Sequence, residues 1–167
     1  MAAGATPTYT VLIVDDDPDL LQMLTDGLEL LGNFRVVQAA NGIQGLEQFF
    51  ETRPDCMIID IKMPGLDGYQ LVRALRGDPE SAATPLIMLT ALAQERQQFA
   101  GLALGADQYL IKPVTPRELV AAVQRALLIG EADRQAQMQA LIAQSEEVET
   151  EQALIAQSEE VTFKKEE

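Results

Sequence analysis

Short apolar runs recur along the chain, and each is stopped by a polar residue and a turn signal. Tyr9–Val14 runs into Asp15-Asp16-Asp17-Pro18, Cys56–Ile59 into Asp60, Pro85–Leu89 into Thr90, and Gln108–Ile111 into Lys112-Pro113; Phe34–Ala39 is a fifth such run. Short apolar runs between turn signals predict strands buried on both faces, as in a parallel sheet. The intervening segments carry apolar residues at helical spacing. Leu20, Leu21, Leu24, Leu28 and Leu31 follow Asp17-Pro18, a capping carboxylate with proline at the first helical position, and Gly32-Asn33 stops them. Asn41-Gly42 opens a helix with Ile43, Leu46, Phe49 and Phe50, which Pro54 is expected to end. Asp67 or Gly68 opens one with Tyr69, Val72 and Leu75, stopped at Gly77-Asp78-Pro79. A helix with Phe99, Leu102 and Leu104 is closed by a left-handed cap at Gly105, and Thr115-Pro116 starts the last one, with Leu119, Val120, Val123, Ala126 and Leu127 on one face.

Five strands alternating with five helices imply right-handed βαβ units and a mostly parallel sheet covered on both sides. The fold class predicted is α/β, a three-layer doubly wound domain.

Composition narrows the chemistry. No histidine occurs, which excludes a histidine nucleophile or base and the usual zinc ligand sets. The single cysteine, Cys56, lies inside an apolar strand and reads as a small buried hydrophobe. The formal charge is −14, from 26 acidic and 12 basic residues, and no basic stripe is visible, so nucleic-acid binding by this chain alone is not expected. No apolar run reaches membrane-spanning length and no export signal is recognisable; a cytoplasmic protein without a membrane segment is expected.

The polar residues at the strand ends carry the chemistry. Taken singly, each has a bland reading: a carboxylate as helix cap, a threonine as turn hydroxyl, a lysine as solvated charge. Together, Asp15-Asp16, Asp60, Thr90 and Lys112 fall on the carboxyl edge of one parallel sheet, where crevices form. Three carboxylates crowded there repel one another unless a cation joins them, and magnesium favours such oxygen donors. A carboxylate is a competent phosphoryl nucleophile, while an ammonium and a hydroxyl can neutralise and hold the transferred group. Asp60 is the acceptor on this reading, and Lys112 and Thr90 serve it.

These motifs, VLIVDD (Val11–Asp16), DIKMPGLDG (Asp60–Gly68), LTA (Leu89–Ala91) and GADQYLIKP (Gly105–Pro113), resemble in order and spacing those of bacterial response-regulator receiver domains over residues 9–129. The resemblance implies a flavodoxin-like sheet in the order 2-1-3-4-5. It implies that Asp60 takes a phosphoryl group from the phosphohistidine of a partner kinase or phosphotransfer protein. It further implies Mg2+ held by Asp15, Asp16, Asp60 and the backbone carbonyl of Lys62, with Thr90 and Tyr109 as the switch pair. Lys112 is implied to bind the phosphoryl group, with a cis bond to Pro113. Lys62 and Leu92 flank the acceptor, and the bulk of Leu92 is expected to slow hydrolysis.

Beyond residue 130 the composition turns to Ala, Gln and Glu, without proline or glycine through Glu167, which favours an extended helix. The segment from Glu131 holds ten acidic and three basic residues, half the net charge of the chain. Ala140–Val148 recurs unchanged as Ala153–Val161, an offset of 13 residues. On an α-helix that offset turns the second copy by roughly 220°, so the repeat builds no single coiled-coil seam. The appendage, 130–167, reads as a signalling helix or linker to an output domain, as a dimerisation helix, or as a solvated acidic tail; residues 1–8 form a short N-terminal tail.

The function expected is a phosphorylation switch, not a turnover enzyme, that alters a protein-binding face formed by the fourth helix, fifth strand and fifth helix for a downstream protein target. The alternative is the receiver portion of a longer regulator whose DNA-binding or enzymatic domain is absent from this chain. A third, a Mg-dependent phosphohydrolase, needs a general acid two residues past the nucleophile, where Lys62 stands.

Overall fold

The computed structural model describes residues 9–91 and 105–128, together with Ala136, Gln139, Ala143, Thr150, Ala153 and Leu154, which are helical. The chain divides into two units, Met1–Ile129 and Gly130–Glu167. The predicted helix with Phe99, Leu102 and Leu104, the position of Leu92, and most of the C-terminal repeat lie outside the described residues.

Within the first unit the elements are β1 (Thr10–Val14), α1 (Pro18–Gly32), β2 (Arg35–Ala39), α2 (Gly42–Thr52), β3 (Cys56–Asp60), α3 (Gly68–Gly77), β4 (Leu86–Thr90), β5 (Gln108–Ile111) and α4 (Pro116–Leu128). The strands form one parallel sheet in the order β2-β1-β3-β4-β5. This is the flavodoxin-like order. Its switch point lies between β1 and β3, where the chain turns from building one half of the sheet to the other.

The sheet is covered on both faces because its central strands alternate sides at every residue. Val11, Ile13, Cys56, Ile58, Ile87 and Leu89 pack with Leu24 and Leu28 of α1 and Leu119 and Val123 of α4. Leu12, Val14, Met57, Ile59, Leu86 and Met88 pack with Phe49 of α2 and Leu71, Val72 and Leu75 of α3. All five residues of β3 and of β4 are buried, whereas β5, at the sheet edge, is half-buried to exposed. That burial is why continuous apolar runs between turn signals, with no alternation, located β3 and β4.

Helix boundaries follow local chemistry. Asp17 caps α1 by accepting from the amides of Asp19 and Leu20, and Asn33 closes it with φ 53°. Asp67 and Gln70 form a reciprocal capping box on α3. The end of α2 departs from expectation: the helix closes at Thr52 through a left-handed Arg53, whose amide bonds to Phe49, and Pro54 comes only afterwards. Nor do all apolar helix positions face inward. Leu31, Ile43 and Phe50 are exposed, and Phe50 instead packs edge-on against Phe49 beneath the guanidinium of Arg53, 5.1 Å from its ring. No described helix is long and apolar enough to cross a membrane.

Candidate functional site

The carboxyl ends of β1, β3, β4 and β5 meet at one edge of the sheet. Each strand delivers its polar residue there because the ladder continues one step past the apolar run. The amide of Asp15 bonds to Ala39 carbonyl at 3.1 Å, that of Ile61 to Leu89 at 3.1 Å, and that of Lys112 to Thr90 at 2.7 Å. The N-terminus of α3 comes in close behind Asp60. Gly68 donates its amide to the Ile61 carbonyl, and a Cβ at this position would overlap the Asp60 carbonyl oxygen. Only glycine permits that approach.

Asp15, Asp16 and Asp60 bring one carboxylate oxygen each to within 4.8 Å of one another. Asp15 and Asp60 are buried, and Asp16 is exposed. The Lys112 ammonium bridges two of them, 3.0 Å from Asp60 Oδ1 and 3.3 Å from Asp15 Oδ2. The other oxygen of Asp15 accepts from the amide of Asp17 at 2.9 Å, which ties the acidic pair to the start of α1. Three acids against one ammonium leave a surplus of two negative charges when all are ionised. A divalent cation matches that surplus, and the all-oxygen donor set suits a hard ion such as magnesium rather than zinc or copper.

The electrostatics agree. Burial pushes the Asp60 carboxyl above its ordinary pKa; the Lys112 hydrogen bond opposes this, and the nearby charges of Asp15 and Asp16 add to it. For Lys112, burial disfavours the ammonium, but the hydrogen bond and charge of Asp60 and those of Asp15 outweigh it, so its pKa is raised. The ammonium is held by its neighbours in spite of desolvation.

The remaining residues singled out in the sequence divide as follows. Thr90 is buried at the end of β4, beside Lys112 in the ladder. Tyr109 is half-buried in β5, packed against the sheet face that faces α3, and lies two positions past Asp107. Lys62 is exposed, and the Lys112–Pro113 peptide is cis. Leu92 lies outside the described residues. One polar constellation escaped the sequence reading: Arg76 and Asp107, buried at the opposite end of β4 and β5, 3.1 Å apart. The motif containing Gly105-Ala106-Asp107 marked one partner, but nothing in the sequence marked the other.

A family model, the response regulator receiver domain, matches residues 11–124. The phosphate regulon transcriptional regulatory protein PhoB of Pseudomonas aeruginosa is 37% identical over 131 residues, covering 78% of this chain and 57% of that protein. The transcriptional regulatory protein PrrA of Mycobacterium tuberculosis is 44% identical over 127 residues, 76% of this chain and 53% of that protein. The chain thus spans about half the length of the curated relatives it matches. Among solved structures, the chemotaxis response regulator CheY4 of Vibrio cholerae superposes with a TM-score of 0.66 at 34% identity, covering 71% of this chain and 98% of that one. The receiver domain of the sensor histidine kinase PA1611 of Pseudomonas aeruginosa, which has a magnesium ion coordinated in its active-site cleft, gives 0.64 at 32% identity, with 71% and 97% covered.

Proposed function

The chain belongs to the response regulator receiver domain family, and from that premise we propose that Asp60 is the phosphoryl acceptor and that Asp15, Asp16, Thr90, Tyr109 and Lys112 serve it. The observation that carries this reading is the ring itself: three carboxylates within 4.8 Å, two of them bridged by one half-buried lysine ammonium. Mg2+ would be held by Asp15, Asp16, Asp60 and the Lys62 backbone carbonyl. When bound, it supplies positive charge that offsets the crowding of carboxylates and phosphoryl oxygens.

The chemistry follows from the positions of the chain's own groups. A carboxylate oxygen of Asp60 attacks the phosphorus of a partner's phosphohistidine. The P–N bond breaks, the imidazole leaves with its electron pair, and an acyl phosphate forms on Asp60. Lys112 then exchanges its contact with the Asp60 carboxylate for one with a phosphoryl oxygen, and its raised pKa keeps it charged for that role. Thr90 donates its hydroxyl to another phosphoryl oxygen. Tyr109, on the neighbouring strand, changes its environment in response and alters the face formed by β5 and α4 for a downstream protein. Lys62, two positions past Asp60 in the sequence, and Leu92, two past Thr90, tune how fast water removes the group on this reading. The protein is on this reading a phosphoacceptor that assists its own phosphorylation and dephosphorylation in the cytoplasm, with no external substrate turned over.

A second reading concerns the output. The matched relatives are named as transcriptional regulators, and the matched region is only 57% and 53% of their length, which favours a receiver that works joined to a further domain, with residues 130–167 as linker or dimerisation helix. Light scattering of the chain with and without residues 131–167 distinguishes a dimerising helix from a passive linker.

Incubation with Mg2+ and a small-molecule phosphodonor, followed by intact mass measurement, tests the acceptor. One added phosphoryl group, lost in Asp60→Asn, is expected. Undiminished phosphorylation of Asp60→Asn contradicts the assignment.

A further inference from the structure

We propose that Arg76 and Asp107 are positioning residues for the phosphoryl-binding edge, locking β4 and β5 in register from the far end of the two strands. The inference rests on the acceptor reading of Asp60 and concerns how Lys112 and Tyr109 come to be in place.

Arg76 sits in the last turn of α3 and extends into the junction where β4 and β5 begin. Its guanidinium donates to the carbonyls of Ala82 (2.9 Å) and Thr84 (2.6 Å), in the turn before β4, and to that of Gly105 (2.7 Å), before β5. It also pairs with Asp107 Oδ2 at 3.1 Å, with the two side chains only 8% and 7% exposed. Gly105 has φ +124°, and a Cβ there would come within 2.6 Å of Arg76 Cγ, so the side chain passes where only glycine leaves room. A planar fork of several donors suits this set of divergent acceptors in a way that a lysine ammonium does not.

Asp107 completes the lock. Its Oδ2 accepts from the amide of Leu86 at 2.7 Å, while its own amide donates to the Leu86 carbonyl at 2.8 Å. Both backbone groups of the first residue of β4 are thereby answered by one residue at the entry to β5. Register needs such a device here. In β1, β3 and β4, burial of both faces sets the register, but β5 has four residues, pairs only with β4 and is half-buried to exposed. A strand of that kind is weakly specified by its hydrophobic pattern. A slip of one residue would turn Tyr109 to the other face of the sheet and carry Lys112 away from Asp60, now 3.0 Å distant.

The test compares the full-length protein with Arg76→Met, Asp107→Asn and Arg76→Lys. Asp107→Asn keeps an acceptor for Leu86 and guards against outright unfolding. Three readouts are taken: Mg2+ affinity, the rate of Asp60 phosphorylation by acetyl phosphate, and the 19F resonance of fluorotyrosine at position 109, assigned with Tyr109→Phe. Because Asp15 and Asp16 follow β1 and Asp60 ends β3, away from the loosened strand, and because Lys112 competes with a cation for Asp15 and Asp60, Mg2+ affinity should hold or rise, and should not fall. The phosphorylation rate should fall about tenfold or more in Arg76→Met and Asp107→Asn, as expected of misplaced catalytic geometry, with partial recovery in Arg76→Lys. The Tyr109 resonance should split even before phosphorylation. Folded variants with parental rate and a single parental Tyr109 resonance would overturn the proposal, as would a loss of Mg2+ affinity proportional to the loss of rate. Failure of the parent protein to take a phosphoryl group would instead overturn the acceptor reading, and the Tyr109 resonance would still judge the lock.

Discussion

Each end of β4 and β5 carries an ion pair, buried at one end and partly exposed at the other, and the two are built on opposite principles. At the amino end, Arg76 and Asp107 pair with each other, and the backbone carbonyls of Ala82, Thr84 and Gly105 and the amide of Leu86 take up further donors and acceptors of the two. At the carboxyl end, one ammonium is shared between Asp15 and Asp60, with Asp16 close by and uncompensated. The first arrangement is complete in the absence of any ligand. The second is short of positive charge, and the charges of Asp15 and Asp16 add to the burial that chiefly raises the pKa of Asp60. The matched pair ties β4 to β5, and the charge deficit at the other end is where the proposed Mg2+ would act.

This contrast predicts effects of opposite sign. Removing the guanidinium in Arg76→Met strands the Asp107 carboxylate and several carbonyls, and chemical denaturation should show a loss of roughly 3–5 kcal/mol. Saturating Mg2+ should act at the other end as a stabiliser, by about 2.7 kcal/mol at a concentration of a hundred times Kd, read as a rise in Tm. It should leave the Arg76→Met deficit unrepaired.

Smaller again is the effect of Asp60→Asn without metal. A carboxyl whose folded-state pKa lies above its unfolded value holds its proton more tightly when folded. Its contribution to stability therefore falls as pH rises through that range and stays unfavourable above it. Asp60→Asn should stabilise the Mg-free protein at neutral pH by roughly 1 kcal/mol, and the gain should shrink as pH falls from the raised folded-state value toward the ordinary aspartate value. A destabilised Asp60→Asn in denaturant melts would place Asp60 with the matched pairs rather than the unmatched ones.

The smallest effect belongs to an exposed cap. Glu118 accepts from the amide and hydroxyl of Thr115 at the start of α4, and these bonds hold its pKa below the usual value. The sign is opposite to that of Asp60. The contribution is present above the unfolded glutamate pKa and is lost as pH falls through the lowered folded value. Glu118→Gln should therefore differ from the parent only slightly, and the difference should vanish in strong acid, as measured by α4 amide exchange.

Much of this was legible in the sequence, for identifiable reasons. β3 and β4 are buried at every position, so their apolar runs had a single interpretation, and Asp60 and Thr90 stood out as the polar residues that ended them. Asp15 and Lys112 were legible by the same rule and by the motifs around them. The Arg76–Asp107 pair was not, because a contact across 31 residues between a helix end and a strand entry leaves no periodic trace. Phe49 and Phe50 are indistinguishable by composition, yet one is core and the other an exposed partner of Arg53; only the helix phase against the sheet decides between them.

The most direct test of the central claim is chemical localisation of the phosphoryl group. Borohydride reduction of an acyl phosphate leaves an alcohol at the modified carboxylate, which peptide mass spectrometry can map. After Mg2+-dependent phosphorylation the account predicts reduction at Asp60 alone, with Asp15 and Asp16 untouched; reduction at either of those residues, or a phosphoryl group that resists borohydride because it sits on a hydroxyl, would contradict it.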